Sequence, residues 1–221
     1  LHVYIHQPTD DKFPGMNKGW GSEFNRQNTW FESSKAFMDY NRRSCWMLQQ
    51  GWRVADVAYY IGEDAPKMTG VRNPELPPGF DFDYINAEVT EKNLAVQDGR
   101  LMLPHGVSYR MLVLPRQATL RPELRQKIAE LVQAGATVIG EPPTRSPSMA
   151  GFPACDEQVR RLAEEIWGGI ALAASGEHTC GQGRVIWGRP LAEVFAANKI
   201  PADIAYRNAS AKSDFLFTHR R

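Results

Sequence analysis

The feature of this sequence that most constrains its fold is a strand, a helix and a second strand in immediate succession over residues 108–140. Residues 108–115 (SYRMLVLP) are a short apolar run of the kind found in buried strands. Residues 121–135 place apolar side chains at helical spacing, and residues 136–140 (ATVIG) return to strand character. A strand joined through a helix to the next strand predicts a parallel sheet with helices on its faces.

The same alternation continues on both sides of this unit. The pattern predicts strands over 53–61 and 184–188, helices over 84–92, 155–167 and 191–199, and a hairpin over 93–106 turning at Asp98-Gly99. We therefore predict an α/β fold in which residues 52–206 form a flavodoxin-like domain, of the parallel-sheet type also found in class I amidotransferases. Residues 207–221 are expected to begin a following β-rich domain.

The first 51 residues have a different organisation. Residues 1–7 (LHVYIHQ) read as a strand, residues 8–29 as a long polar loop and residues 33–50 as a helix. Loops of this length are more often functional than idle. Both ends of the chain resemble interrupted strands, so we expect an internal piece of a larger protein.

Composition excludes several classes of function. Lys and Arg number 26 against 25 Asp and Glu, so no basic surface for nucleic acid is predicted. No apolar run approaches the roughly 20 residues of a membrane-spanning helix. The three cysteines are widely spaced, which argues against a disulfide framework or a thiolate zinc site. No glycine-rich phosphate loop follows the strand over 53–61, so neither a nucleotide nor a flavin is predicted.

The long loop carries the side chains that protein sites use for carbohydrate. Glu23, Asn25, Arg26, Asn28 and Trp30 combine a carboxylate, amides and an indole. Carboxylates and amides bond to hydroxyl groups, and an aromatic face covers the C–H surface of a sugar. The alternative is an ordinary polar loop in which Glu23 pairs with Arg26.

Several strings, in one consistent order, resemble glycoside hydrolase family 106, the α-L-rhamnosidases. They are HVYIHQP (2–8), GSEFNRQNTWF (21–31), YNRRSCWMLQQG (40–51), VADVAYYIGEDAPKMTG (54–70), LPPGFDFDYINAEV (76–89), DGRLMLPHGVSYRMLVLP (98–115) and PTRSPSMAGFPACDEQVRRLAEEIWG (143–168). The resemblance covers nearly the whole chain. It implies a multidomain bacterial enzyme, periplasmic or secreted, that removes terminal α-L-rhamnose from plant or pectic glycans with inversion, in a (β/α)8 barrel and with the help of calcium.

In that arrangement residues 1–51 resemble the last βα unit of the barrel, and the rest of the barrel would pack against this chain. Active sites of such barrels lie at the carboxyl ends of the strands, so the resemblance implies that the loop over 8–30 faces the sugar. The substrate-binding residues expected from it are His6, Gln7, Glu23, Asn25 and Trp30.

The resemblance places both catalytic carboxylates before residue 1, which leaves Glu23 as the secondary candidate within this chain and predicts that the chain alone is inactive. For His2 we expect a packed core histidine. Asp10 and Asp11 are either oxygen ligands of calcium or solvated surface, and no metal ligand is assigned.

Two further alternatives stay open at this stage. A barrel followed by such a domain also occurs in β-galactosidases of another family. A flavodoxin-like or amidotransferase-like binding module without catalysis is the other alternative, against which no Cys lies on a strand-to-helix turn. Glu63 and Asp64, at the carboxyl end of the strand over 53–61, belong either to a ligand site or to a structural loop.

Overall fold

A computed structural model describes the chain over residues 3–4, 22–23, 29–63, 69–169, 173–207, 210, 213 and 216–221. The chain divides into two compact units, Leu1–Gly51 and Trp52–Arg221. The assignment of residues 207–221 to a following domain stays a prediction.

The described residues of the first unit form two short strands and a helix. Strands β1 (Val3–Tyr4) and β2 (Ser22–Glu23) pair in parallel. Helix α1 (Ser34–Leu48) confirms the helix predicted over 33–50. None of its residues is buried, so its apolar side chains are not covered by the described part of this unit.

The second unit is built around a parallel sheet. Its strands in chain order are β3 (Arg53–Val54), β4 (Val57–Tyr60), β5 (Phe82–Ile85), β6 (Ala95–Gln97), β7 (Arg100–Met102), β8 (Ser108–Tyr109), β9 (Met111–Val113), β10 (Thr137–Ile139), β11 (Gly176–Cys180), β12 (Gly183–Trp187) and β13 (His219–Arg220). Its helices are α2 (Ala87–Asn93), α3 (Pro122–Gln133), α4 (Ala154–Trp167) and α5 (Leu191–Ala197).

The main sheet has the strand order β11-β12-β10-β9-β4-β5. Every neighbouring pair is parallel except β11 with β12. Numbering the parallel strands along the chain, from β4 as the first to β12 as the fifth, gives the order 2-1-3-4-5. The predicted parallel sheet is confirmed. Strand β5 is added on one side of β4, whereas β9 and the later strands are added on its other side, so the strand order reverses between β4 and β9.

Alternation along the strands divides the core between the two faces of this sheet. Leu112 faces a cluster that contains α3 and the end of α4, whereas Met111 and Val113 face a second cluster with α5. Both faces are therefore apolar, which is why β4 and β9 read as continuous hydrophobic runs rather than as alternating ones.

Several predicted elements differ from the structure. The strand predicted over 108–115 divides into β8 and β9, which lie in different sheets, and Arg110 between them donates its N–H to the Asp56 carbonyl at 2.8 Å. Strand β11 is not among the predicted strands. The helix predicted over 84–92 begins only at Ala87, because 82–85 form strand β5, and the Asn86 side chain caps the helix by accepting the Val89 N–H at 2.9 Å. The strand predicted over 53–61 is interrupted at Asp56, whose buried carboxylate accepts Arg110 Nε at 3.0 Å.

The hairpin predicted over 93–106 is confirmed as β6 and β7, with Asp98 and Gly99 at φ values of 51° and 70°. These left-handed conformations suit the two central residues of a hairpin turn. At the other end of the unit, β13 pairs antiparallel with β3. The N–H groups of Trp52 and Arg221 donate to each other's carbonyls at 2.7 and 3.0 Å, which extends the contact between β3 and β13.

Candidate functional site

The loop predicted to contact sugar is described only in part. His6, Gln7 and Asn25 lie outside the described residues. Glu23 pairs with Tyr4 in the parallel β1–β2 ladder, so its backbone lies beside the strand that precedes His6. The Trp30 side chain is 40% exposed in the turn before α1. The role of these residues in substrate binding stays a prediction.

One face of helix α1 is apolar and exposed. Phe37, Tyr40, Met47 and Leu48 recur at helical spacing and are between 43% and 63% exposed. Such a continuous face is a normal feature of a helix that packs against another element.

In the second unit, Glu63 lies just beyond the carboxyl end of β4. Its side chain is 7% exposed and accepts the backbone N–H of Arg121 at 2.7 Å. It also pairs with the Arg121 guanidinium, and this hydrogen bond raises the pKa of Arg121. The same guanidinium donates a second hydrogen bond, to the Glu91 carboxylate, at 2.7 Å. Glu63 therefore closes the N-terminus of α3 and acts as a structural residue. Asp64 lies outside the described residues.

A groove runs along the carboxyl edge of the main sheet, between the loops that follow β4, β9, β10 and β12. It consists of two adjoining cavities of about 470 and 520 Å³. Residues shared by both are Arg116, Glu141 and Ala174. The Arg116 Nε lies 3.5 Å from a Glu141 carboxylate oxygen, and both side chains are more than half exposed. A guanidinium and a carboxylate thus stand side by side at the centre of the groove.

The walls of this groove are fixed by hydrogen bonds and apolar contacts. The Tyr59 hydroxyl donates to the Pro74 carbonyl at 2.7 Å and holds the loop over 73–75 against the sheet. Burial raises the pKa of Tyr59 to about 12, so this hydroxyl keeps its proton. Leu114 and Ile139, at the ends of β9 and β10, are nearly buried and add a small apolar part to the lining. Arg189 lies at the end of β12, with its Nη1 3.3 Å from Glu177.

Arg116, Glu141 and Arg189 are not among the residues predicted for a site, although the sequence carries a signal for them. Each is the first polar residue after an apolar strand and an intervening Pro or Gly. In a parallel sheet such positions converge on one edge. Only the strand order, which the sequence does not display, shows which of them become neighbours.

A buried charge lies away from the groove. Arg125 of α3 is fully buried, and its guanidinium lies 5.8 Å from the centre of the Trp167 ring. Among the described residues, no hydrogen-bond partner meets any of its three nitrogens. Burial lowers the pKa of Arg125 to about 9, which reflects the cost of keeping a desolvated cation in the core.

Across the described ranges, no cluster of three or more His, Cys, Asp or Glu side chains could hold a metal ion. The calcium ion that the family resemblance implies stays a prediction. In the same ranges, no helix is both long enough and apolar enough to cross a membrane.

Comparisons with known proteins give a consistent result. The sequence model of glycoside hydrolase family 106, described as alpha-L-rhamnosidase, matches residues 1–221. A Formosa agariphila protein with the provisional name beta-glucuronidase is 43% identical over 224 residues, spanning all of this chain and 18% of its own length. The solved structure of a rhamnosidase from Novosphingobium sp. PP1Y superimposes with a TM-score of 0.83 at 33% identity, over all of this chain and 21% of that protein. The chain thus spans about a fifth of the length of either relative.

Proposed function

The chain belongs to glycoside hydrolase family 106, and from this premise we propose that the enzyme containing it hydrolyses terminal α-L-rhamnosides of plant or pectic glycans. The observation that supports this most strongly is the match of the family over every residue, together with the 0.83 TM-score against a rhamnosidase. The chain spans about a fifth of the length of these relatives, so the proposed enzyme includes further domains besides this chain.

The proposed reaction inverts the anomeric centre. Inversion requires a general acid and a general base roughly 6.5–9.5 Å apart, with room between the base and the sugar for a water molecule. We assign both to barrel strands outside this chain, and we assign to His6, Gln7, Glu23, Asn25 and Trp30 the binding of the sugar. Calcium ligands and export to the periplasm or the medium belong to the same proposal, by family resemblance alone.

Within the enzyme, residues 1–51 would complete the barrel. The exposed apolar face of α1 supports this, because Phe37, Tyr40, Met47 and Leu48 would be covered by neighbouring barrel elements. Residues 52–206 would form a flavodoxin-like domain without catalytic residues. The strand order 2-1-3-4-5 is that of flavodoxin-like sheets and supports this assignment.

A β-glucuronide is the second candidate substrate, because the Formosa agariphila relative carries that name. A β-D-glucuronide carries a C6 carboxylate where an α-L-rhamnoside carries a methyl group, and the two sugars also differ in configuration. An enzyme specific for the glucuronide therefore needs a cation in the site. A direct comparison of the two substrates decides between the candidates.

The test uses the full-length enzyme and the 221-residue chain side by side. Each is assayed with an aryl α-L-rhamnoside and an aryl β-D-glucuronide, and the first sugar released is followed by proton NMR. We expect β-L-rhamnose from the full-length enzyme and no turnover by the chain alone. Preferential cleavage of the glucuronide would show that the substrate is a glucuronide rather than a rhamnoside. Turnover by the isolated chain would refute the assignment of both catalytic carboxylates to residues outside this chain.

A further inference from the structure

We propose that the groove at the carboxyl edge of the main sheet is a second carbohydrate-binding site, one that takes a neutral sugar and performs no catalysis. The groove belongs to the second unit, and its lining comes from loops after four parallel strands. The identity of this sugar as part of the enzyme's own glycan substrate rests on the proposed function. The binding of a neutral sugar in the groove is independent of that function.

Position in the fold is the first argument. In doubly wound sheets, ligands bind outside the carboxyl ends of the strands, at the point where the strand order reverses. Here the order reverses between β4 and β9. The cavity of about 470 Å³ spans that point, because Pro74 and Glu75 of the loop after β4 face Leu114 and Arg116 after β9. Its volume lies within the range of roughly 300–1,000 Å³ that is usual for small-molecule sites.

The balance of charge in the lining disfavours a ligand that carries a net charge. The cavity at the reversal point is lined by two cations, Arg116 and Arg189, and by two carboxylates, Glu75 and Glu141. An anion would meet the carboxylates and a cation would meet the guanidinium groups. A neutral sugar meets neither penalty, because each hydroxyl both donates to a carboxylate and accepts from a guanidinium.

A phosphate-bearing ligand would also need a helix N-terminus, the usual anion site in such folds. At the N-terminus of α3, Glu63 accepts the Arg121 N–H at 2.7 Å and Pro122 has no N–H to offer, so a carboxylate of the protein already lies at this helix end and opposes an anionic ligand. The groove therefore favours a polyhydroxyl ligand over a nucleotide or a flavin.

The central pair matches a sugar in its chemistry. Arg116 Nε and the Glu141 carboxylate are 3.5 Å apart, so they present a donor and an acceptor to two adjacent hydroxyl groups. The lining also includes Leu114 and Ile139, which are nearly buried and contribute a small apolar area. Both charged side chains are mostly exposed and take no part in the core, so they can be replaced without affecting folding.

The experiment measures binding to the 221-residue chain by saturation-transfer difference NMR and by titration calorimetry. The probes are methyl α-L-rhamnopyranoside and methyl β-D-galactopyranoside as neutral sugars, with D-galacturonate and inorganic phosphate as anions. We expect saturable binding of at least one neutral sugar and weaker or absent binding of the anions. The double variant R116A/E141A should bind at least roughly tenfold more weakly, since it loses hydrogen bonds to charged groups.

The matched control is E88Q/K92Q, which removes an exposed ion pair on α2 outside the groove and should leave binding unchanged. In the full-length enzyme, R116A/E141A should leave kcat on an aryl rhamnoside unaltered. The proposal is refuted if no neutral sugar saturates the chain, if the anions bind best, or if R116A/E141A binds as the unaltered chain does. These outcomes are independent of rhamnosidase activity, so failure of the groove and failure of the proposed function can be told apart.

Discussion

The Glu63 carboxylate accepts the backbone N–H of Arg121 at 2.7 Å, which joins the end of strand β4 to the start of helix α3 across 58 positions of sequence. The same carboxylate pairs with the Arg121 guanidinium. A negative charge at a helix N-terminus is stabilised by the exposed N–H groups and by the helix dipole. This contact therefore fixes the loop after β4 next to the loop after β9, and both loops line the groove.

Substitution of Glu63 should destabilise the second unit. Glu63→Ala leaves the partly buried Arg121 N–H and part of the guanidinium without an acceptor, which costs about 1–3 kcal/mol of unfolding free energy. Glu63→Gln keeps an acceptor for the N–H and should lose less. Urea denaturation of the 221-residue chain measures both. Glu88→Gln, which breaks a fully exposed pair with Lys92, should not change the midpoint. If the urea midpoints of all three variants equalled that of the unaltered chain, the Glu63 contact would not stabilise the fold.

Arg125 is expected to be dispensable for folding. A buried guanidinium with no hydrogen-bond partner among the described residues costs desolvation energy that an apolar side chain avoids. Arg125→Met keeps much of the volume and should leave the unfolding free energy unchanged or raise it by up to about 3 kcal/mol. Arg125→Ala should instead lower it by leaving a cavity beside Trp167.

The comparison of these two variants separates charge from volume. A clear loss of stability in Arg125→Met would mean that the guanidinium is hydrogen-bonded in solution, for example by an internal water molecule. Chemical denaturation at neutral pH measures this, with tryptophan fluorescence as the signal because Trp167 lies against the substituted side chain.

Sequence patterns predict four of the six strands of the main sheet, all but β5 and β11, and they do not predict the groove. The apolar run over 108–115 is predicted as one strand because burial on both faces of a parallel sheet leaves a clear signature, yet it divides into β8 and β9, which lie in different sheets. Strand β5 carries no such signature, because its partly exposed residues follow no strict alternation, and the pattern there favours one helix over 84–92. The groove depends on strand order, which arises from long-range packing. Glu63 was noticed from its position after β4, yet its role required the location of Arg121.

The buried carboxylate of Asp56 should make stability depend on pH in a defined direction. Burial raises the pKa of Asp56 above its ordinary 3.8, the Asp203 charge adds to this, and the Arg110 hydrogen bond opposes it. Between the ordinary and the raised pKa, the folded state binds more protons than the unfolded state. The unfolding free energy of the wild type, relative to Asp56→Asn, should therefore fall as pH rises through that interval and level off above it.

Paired urea titrations of the wild type and Asp56→Asn, from about pH 3 to about pH 7, give this difference directly. A difference that grows with pH would show that the Arg110 contact dominates and that the folded state favours the charged carboxylate. Because the two proteins share every other titrating group, the contributions of the remaining carboxylates cancel.

Strand β13 is expected to contribute to the stability of the second unit. It pairs with β3, and His219 Nδ1 lies 2.8 Å from Asp203. A chain of residues 52–206 lacks this strand, whereas a chain of residues 52–221 retains it. We expect the longer chain to melt at the higher temperature in differential scanning calorimetry, because β3 loses its ladder partner in the shorter one. Identical melting temperatures would place the end of the domain near residue 206.

The last prediction concerns the loop over 8–30 in the full-length enzyme. If Trp30 and Glu23 contact the sugar, Trp30→Ala and Glu23→Gln should lower kcat/KM while leaving the melting temperature nearly unchanged. A contact that tightens only in the transition state lowers kcat and kcat/KM together, whereas uniform binding changes KM alone. His6→Ala should lose roughly 1–3 kcal/mol of transition-state binding if it leaves a sugar hydroxyl unpaired. His2→Ala is the matched control, because a packed histidine affects stability rather than turnover. Full activity in the Glu23, Trp30 and His6 variants, or losses that follow stability, would place the sugar site elsewhere in the enzyme.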